Sequence, residues 1–170
     1  RAKNEPIVNR TMGIGIVVQT IAQTGATLGA MVAGLYLSMT ALGLIPAGVN
    51  PLTFILQFNF NGLDGTMFEE VVRVGETMAF VTLSLCELFR AYTGRSERVS
   101  LFRIGVFSNR YMQYAVGLSL VLLFLVVNVP FLQPIFNTHF LTGIEWGIVL
   151  GLALIPAVAG ETKFDRLVFL

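Results

Sequence analysis

Glu87 is the residue of this chain whose position has the clearest chemical consequence. No charged residue occurs from Thr77 to Cys86, and Glu87 then follows inside the same apolar segment. A carboxylate at this depth of a lipid-embedded helix is costly and is normally retained because an ion, a proton or a partner group requires it. The sequence therefore favours a cation-binding role for Glu87.

Arg90 offers a structural alternative for the same carboxylate. It follows Glu87 by three residues, which is the spacing of an ion pair on one helix face. Its long side chain can also reach outward to the membrane surface. Both interpretations stay open: Glu87 is a candidate cation ligand, and Arg90 is its possible charge partner.

The oxygen atoms available around Glu87 are few. A hard cation such as calcium takes about six to eight oxygen ligands. Besides Glu87, the apolar segments offer only amide and hydroxyl groups at membrane depth, among them Gln19, Gln23, Thr82, Ser84 and Asn128. If Glu87 binds such a cation, most of the ligands come from helices outside this chain.

Composition places the chain among membrane proteins. Its 170 residues are 55% hydrophobic and 12% charged, with a mean hydropathy of +0.76, whereas soluble domains average about 25% charged residues. The single cysteine excludes an internal disulfide, and no Cys/His grouping indicates zinc. The chain starts at Arg1 without a methionine or a signal peptide, so we expect it to be a fragment of a longer protein.

Four apolar segments predict an all-α fold, a membrane-embedded bundle of four transmembrane helices. About 20 apolar residues are enough to cross a bilayer as a helix. The predicted spans are about 13–44, 76–93, 109–129 and 143–160. The stretch from Ala47 to Gly75 is predicted to be a loop, with turn signals at Asn50-Pro51 and Asp64-Gly65.

Local signals predict where these helices begin and end. Asn109 is predicted to open the third span and Pro130 to stop it, and Gly94 stands where the second helix is expected to end. Two threonine–glutamate pairs have the spacing of a capping box: Thr66 with Glu69, and Thr142 with Glu145.

Small residues recur every four positions in the first span. One row is Ala22, Ala26, Ala30 and Gly34, and beside it lie Gly25, Gly29 and Ala33. Because helices in lipid gain little from apolar burial alone, such rows allow another helix backbone to approach closely. The rows therefore predict a packing face on this helix.

The lysines and arginines predict the orientation of the chain. Every one of them except Arg73 lies before the first span, at or between the facing ends of the second and third, or after the fourth. Positive residues accumulate on the cytoplasmic side. The protein is thus expected to be an integral, multi-pass membrane protein, with both termini and the 94–108 loop in the cytoplasm.

The other residues that could bind a ligand or a metal have ordinary structural explanations. Gly13 and Gly15 form a lone GxG with no strand before it, and His139 stands alone, whereas a metal site needs several convergent groups. No basic-aromatic surface indicates a nucleic acid partner. We expect no catalytic residue in this segment.

Read from end to end, the chain resembles the C-terminal membrane region, helices seven to ten, of a P-type cation-transporting ATPase, most like the calcium-transporting ATPases. The resemblance covers essentially residues 1–170. It is carried by the order and spacing of RAKNEPI at Arg1 to Ile7, FNGLD at Phe60 to Asp64, Glu87 with Glu97, Ser100, Leu101 and Arg103, and Pro130, Phe136, Trp146, Pro156, Lys163 and Phe164.

The resemblance implies a role for individual residues. Glu87 falls on the carboxylate that the eighth helix contributes to a calcium site, beside ligands from the fifth and sixth helices. Gly25 and Gly29 resemble the glycine face by which the seventh helix packs on the fifth. Arg90 stands where the calcium pumps usually have a neutral amide, so it could neutralise Glu87. Gly65 occupies the place of one cysteine of the animal pumps, so no lumenal disulfide is expected.

The resemblance also implies partners and cofactors. Calcium would be the transported ion, exported from the cytoplasm, and these helices would support the moving helices of the same pump. ATP and magnesium would be bound by cytoplasmic domains of the parent pump, because the phosphorylated aspartate and its DKTGT motif are missing from this segment. The lipid bilayer is the remaining partner. The parent would be an ATP-hydrolysing enzyme, although this segment is not.

Two alternatives stay open at this point. One is a self-contained transporter whose four helices dimerise around an intramembrane glutamate and exchange protons for a cationic drug. The other is a non-catalytic membrane subunit or anchor. Within the pump interpretation, calcium, manganese and protons all remain possible as the ion, because the selecting residues of the other helices are not in this sequence.

Overall fold

All regular secondary structure in the described residues is α-helical, as predicted. A computed structural model of the chain describes residues 10–45, 49–57, 64–93 and 109–167. The helices are α1 (Arg10–Ala41), α2 (Pro51–Gln57), α3 (Gly65–Thr93), α4 (Arg110–Asn128), α5 (Gln133–Phe136) and α6 (Gly143–Leu167). The four long helices α1, α3, α4 and α6 correspond in order to the four predicted spans, and α2 and α5 are short helices between them.

Three of the long helices form the centre of the bundle. α1 packs along α3, α6 lies against both of them, and α4 makes a smaller contact with α3. The main core lies where α1, α3 and α6 meet, around Ala30, Met78, Val81, Val149 and Ala153. This arrangement leaves α4 at the side of the bundle.

A second apolar cluster joins the end of α1 to α2 and to the start of α3. Its buried members are Leu35, Met39, Ile55 and Val71. α1 ends at Ala41, and Gly43 follows with a positive φ of 70°, the left-handed conformation in which glycine commonly ends a helix. The turn thus directs the chain from α1 across to α2.

The predicted helix starts were right in two places. The Asn109 side chain accepts a hydrogen bond from the Met112 backbone N–H at 3.3 Å and caps α4. The Thr142 backbone N–H donates to Glu145 Oε2 at 2.6 Å, and the Glu145 N–H donates to Thr142 Oγ1 at 3.5 Å. These reciprocal bonds confirm the predicted capping box at the start of α6.

The capping box predicted at Thr66 and Glu69 is wrong. α3 begins at Gly65, and the Asp64 carbonyl accepts the first helical hydrogen bond from the Phe68 N–H at 2.9 Å. The Asp64 carboxylate also accepts a hydrogen bond from the Thr66 hydroxyl at 3.0 Å. Asp64 is therefore the cap, and the predicted loop 47–75 contains α2 and the first two to three turns of α3. Gly94, predicted to end α3, lies outside the described residues.

Helix length and surface character fit a membrane environment. Gly13–Ala41 and Arg110–Asn128 are long and apolar enough to cross a membrane, and Gly143–Ala159 is a shorter apolar stretch. Large apolar side chains of α4, such as Leu118, Val121 and Phe124, are exposed, which suits contact with lipid. The chain has the properties of an integral membrane protein, and the exact limits of its spans remain predictions.

Candidate functional site

Glu87 lies at the edge of the buried face of α3. Leu85 and Cys86, just before it, are buried in the main core. Each residue of an α-helix is rotated by about 100° from the previous one, so Glu87 lies off the core face. Its side chain is 55% exposed in the described structure. The helix geometry thus places a carboxylate beside the core with part of its surface accessible.

Gln23 of α1 binds this carboxylate directly. Its Nε2 atom donates a hydrogen bond to Glu87 Oε1 at 2.7 Å, and Gln23 is only 8% exposed. A carboxylate that accepts this bond requires the amide nitrogen, rather than the amide oxygen, to face it. Gln23 is one of the polar groups that the sequence places in the spans, but its pairing with Glu87 was not predicted.

Arg90 approaches the same oxygen of Glu87. Its guanidinium nitrogen lies 4.0 Å from Glu87 Oε1, and 43% of the Arg90 side chain is exposed. An exposed ion pair at this separation is weak. The structure thus places both Gln23 and Arg90 around Oε1, with Gln23 much closer. The roles of Glu87 as cation ligand and of Arg90 as charge partner stay predictions.

The described residues supply only part of a cation site. Among residues 10–45, 49–57, 64–93 and 109–167, no group of three or more His, Cys, Asp or Glu side chains could hold a metal ion. A calcium ion at Glu87 would need most of its about six to eight oxygens from elsewhere. The geometry therefore suits a contributing ligand rather than a complete site.

The glycines of α1 lie on different sides of the helix and have different neighbours. A Cβ atom added at Gly34 would lie 2.8 Å from Gly75 Cα of α3, so the two backbones touch there. A Cβ at Gly29 would lie 3.9 Å from Leu152 of α6, whereas one at Gly25 would meet no described atom within 4 Å. Gly25 is thus open to a further helix, and its predicted packing role, like that of Gly29, stays a prediction.

Gly75 is a structural residue whose role was not predicted from the sequence. The sequence predicts it at the end of a loop, whereas it lies about three turns into α3. Its close contact with Gly34 and the Gln23–Glu87 bond show that α1 and α3 run antiparallel.

His139 and Cys86 take part in ordinary packing. The His139 backbone N–H donates to Thr77 Oγ1 at 2.9 Å, which joins the segment before α6 to α3. Cys86 is buried, with its sulfur 3.9 Å from the Ala153 carbonyl oxygen of α6. These contacts stabilise the α3–α6 side of the bundle.

Comparison with known proteins gives a family model that matches nearly the whole chain and related proteins that match half of it or more. The family model described as cation transporting ATPase, C-terminus, matches residues 1–163. Calcium-transporting ATPase 1 of Bacillus cereus is 37% identical over 93 residues, which cover 55% of this chain and 10% of that protein. Calcium-transporting ATPase of Bacillus subtilis is 36% identical over 105 residues, covering 62% of this chain and 11% of that protein.

A human protein is also similar. Calcium-transporting ATPase type 2C member 1 of Homo sapiens is 35% identical over 85 residues, which cover 50% of this chain and 9% of the human protein. The chain thus spans about a tenth of the length of the curated relatives it matches.

Proposed function

Since this chain belongs to the cation-transporting ATPase C-terminal family, we propose that it is the C-terminal membrane domain of an ATP-driven pump that exports calcium from the cytoplasm. The relatives named as calcium-transporting ATPases support calcium as the ion. The observation that carries the proposal is Glu87, a half-exposed carboxylate at the α1–α3 interface. In this role Glu87 contributes one ligand to a calcium site.

The other components of the pump lie outside the described residues. The remaining membrane helices supply the other calcium ligands and pack against the Gly25 side of α1, where an added Cβ atom would meet no described atom within 4 Å. The cytoplasmic domains bind ATP and magnesium and drive the transport. The helices of this chain support the moving helices, with the termini and the 94–108 loop on the cytoplasmic side.

The family match favours the pump domain over a self-contained four-helix transporter or a non-catalytic subunit, because it covers residues 1–163. A second role for Glu87 has one specific observation in its favour. Arg90 lies 4.0 Å away, so Glu87 could instead be a structural ion-pair partner. The two roles differ in what happens to calcium dependence when either residue is replaced.

The test is calcium-dependent ATP hydrolysis by the full-length protein in membrane vesicles. Wild type is compared with Glu87→Gln and Arg90→Asn, and manganese is compared with calcium. We expect calcium to activate hydrolysis. We expect Glu87→Gln to raise the calcium concentration for half-maximal activation by about 10-fold or more, because removal of an outer-shell partner already lowers metal affinity by about that factor and removal of a ligand should lower it at least as much. We expect Arg90→Asn to keep the activation.

Two results would contradict the proposal. Hydrolysis that no cation activates would argue against a cation pump. Unchanged calcium dependence in Glu87→Gln, together with an unstable Arg90→Asn protein, would identify Glu87 as a structural ion-pair partner.

A further inference from the structure

Gln23 is a buried amide whose contact has no role yet in the proposed function. It lies on α1, 64 residues before Glu87, and its Nε2 atom donates to Glu87 Oε1 at 2.7 Å. We propose that Gln23 is a positioning residue: it holds Oε1 of Glu87 so that the other oxygen, Oε2, is presented to the transported calcium ion. This inference rests on the proposed role of Glu87 as a calcium ligand.

The two oxygens of Glu87 differ in their surroundings. Both described contacts, from Gln23 and from Arg90, are made to Oε1. Within the described part of the chain, Oε2 makes no hydrogen bond or ion pair. A carboxylate held through one oxygen still has the second oxygen available to a cation. The asymmetry therefore assigns the holding contact to Oε1 and the ion contact to Oε2.

The chemistry of the holding group matters. Gln23 is neutral, so it orients the carboxylate without cancelling its negative charge, whereas Arg90 would cancel it. The Gln23 contact is a short hydrogen bond at 2.7 Å, and the Arg90 contact is at 4.0 Å. Because electrostatic and hydrogen-bond interactions weaken with distance, Gln23 dominates the orientation of the carboxylate, which keeps its charge for the ion.

Gln23 orients Glu87 rather than ligating the ion through the same group. An amide nitrogen that donates a hydrogen to a carboxylate has no lone pair to give to a cation. Partners of this kind are common around metal ligands, and their removal weakens metal binding about 10–100-fold. The expected effect of Gln23 is therefore on calcium affinity, exerted through Glu87.

The scaffold sets the position of Gln23 before an ion arrives. Gln23 is 8% exposed and lies 11 residues, about 17 Å along the helix, from the Gly34–Gly75 backbone contact. A long glutamate side chain loses rotamer freedom when it becomes ordered. If Gln23 orders Glu87 in advance, that entropy is not lost at the moment of ion binding, and affinity is higher.

The experiment measures equilibrium binding of radioactive calcium to the full-length pump. Gln23→Met keeps the length of the side chain and removes the donor. Gln19→Met is the matched control, because Gln19 lies one turn earlier on α1 and is half-buried, and its side chain makes no hydrogen bond with a described residue. We expect Gln23→Met to weaken calcium binding about 10-fold, and Gln19→Met to leave it within about 2-fold of wild type.

Thermal unfolding without calcium separates positioning from general stabilisation. Positioning predicts a similar Tm for Gln23→Met and Gln19→Met in excess chelator, with different calcium affinities. A lower Tm of Gln23→Met together with unchanged calcium affinity would overturn the inference, because Gln23 would then be a structural residue. If Gln23→Met does not accumulate in membranes, Gln23→Ala removes the same donor without an added apolar group.

The double variant with Glu87→Gln tests whether Gln23 acts through Glu87. We expect Gln23→Met to weaken calcium binding by less than about a further 2-fold in that background, because the effects of substituting two residues of one interaction are not additive. An equal loss of calcium affinity in both backgrounds would overturn the inference, because Gln23 would then act independently of Glu87.

If Glu87→Gln alone leaves calcium binding unchanged, the proposed function of Glu87 fails and this inference fails with it. If only Gln23→Met is without effect, the inference alone fails.

Discussion

The antiparallel pair α1 and α3 is held together differently at its two ends. At one end, Gly34 and Gly75 bring the two backbones into contact, beside the fully buried Met78. At the other end, Gln23 and Glu87 form a polar contact, and the Glu87 side chain is 55% exposed. One end is a direct contact between two backbones, and the other presents a charged side chain.

The difference separates support from ion chemistry within one helix pair. In lipid, helices associate through close van der Waals packing at small residues, and close-packed interiors respond strongly to added atoms. A partly exposed polar contact contributes less to stability because water competes for it. Substitutions at the glycine end should therefore change stability, and substitutions at the polar end should change calcium affinity.

The largest expected effect on stability is that of Gly34→Ala. The new methyl group would lie 2.8 Å from Gly75 Cα and 2.9 Å from the Met78 sulfur. Because a backbone cannot move aside as a side-chain end can, we expect the free energy of unfolding to fall by about 3 kcal/mol, the upper part of the range for overpacking. The measurement is Tm of the detergent-solubilised full-length protein in excess chelator.

Gly117→Ala is the matched control for this substitution. A Cβ atom at Gly117 of α4 would meet no described atom within 4 Å, and alanine favours the helix by up to about 1 kcal/mol. The control should therefore be as stable as wild type or more stable. A Gly34→Ala protein of wild-type stability, or one whose main defect is weakened calcium binding, would contradict the separation of the two ends.

Gly75→Ala should have a smaller effect at the same crossing. Two of the nearest atoms to its new methyl group are in the Leu35 side chain, at 3.0 and 3.2 Å, and the third is the Met31 carbonyl oxygen at 3.1 Å. Since a leucine side chain can adjust, we expect a loss of about 1–2 kcal/mol. Thermal unfolding of both variants in parallel checks the order, and a larger loss for Gly75→Ala would contradict it.

Arg90→Asn should have the smallest effect and should act at the polar end. Arg90 competes weakly with a cation for Glu87, since their contact is at 4.0 Å and both side chains are substantially exposed. We expect calcium binding to strengthen by no more than about 2- to 5-fold, in keeping with the up to about 1 kcal/mol of an exposed pair. Equilibrium calcium binding measures this, with Arg110→Asn as the control. Weaker binding in Arg90→Asn would contradict competition.

Much of the helical architecture could be predicted from local sequence. Uncharged segments of sufficient length marked the spans, and the caps at Asn109 and Thr142 were recognised because capping depends on residues within one turn. The start of α3 was placed inaccurately for a physical reason. Its first turns carry charged residues among apolar ones, and Val71 and Val74 are buried there, so the helix continues outside the uniformly apolar segment.

The candidate site was only partly predictable. Glu87 stood out because a carboxylate in an apolar helix is unusual. Its partner Gln23 could not be assigned from one sequence, since that assignment needs the register between two helices 64 residues apart in the chain. Gly75 was missed for the same reason, because only its contact with Gly34 distinguishes it from an ordinary glycine near a helix end.

The most direct test of the account is the number of calcium ions bound at saturation by the full-length pump carrying Glu87→Gln. Glu76→Gln is the matched control, because Glu76 is an exposed carboxylate on the same helix. Equilibrium binding should show fewer calcium ions or clearly weaker binding for Glu87→Gln, and wild-type binding for Glu76→Gln. Wild-type stoichiometry and affinity in Glu87→Gln would contradict the claim that this carboxylate is a calcium ligand.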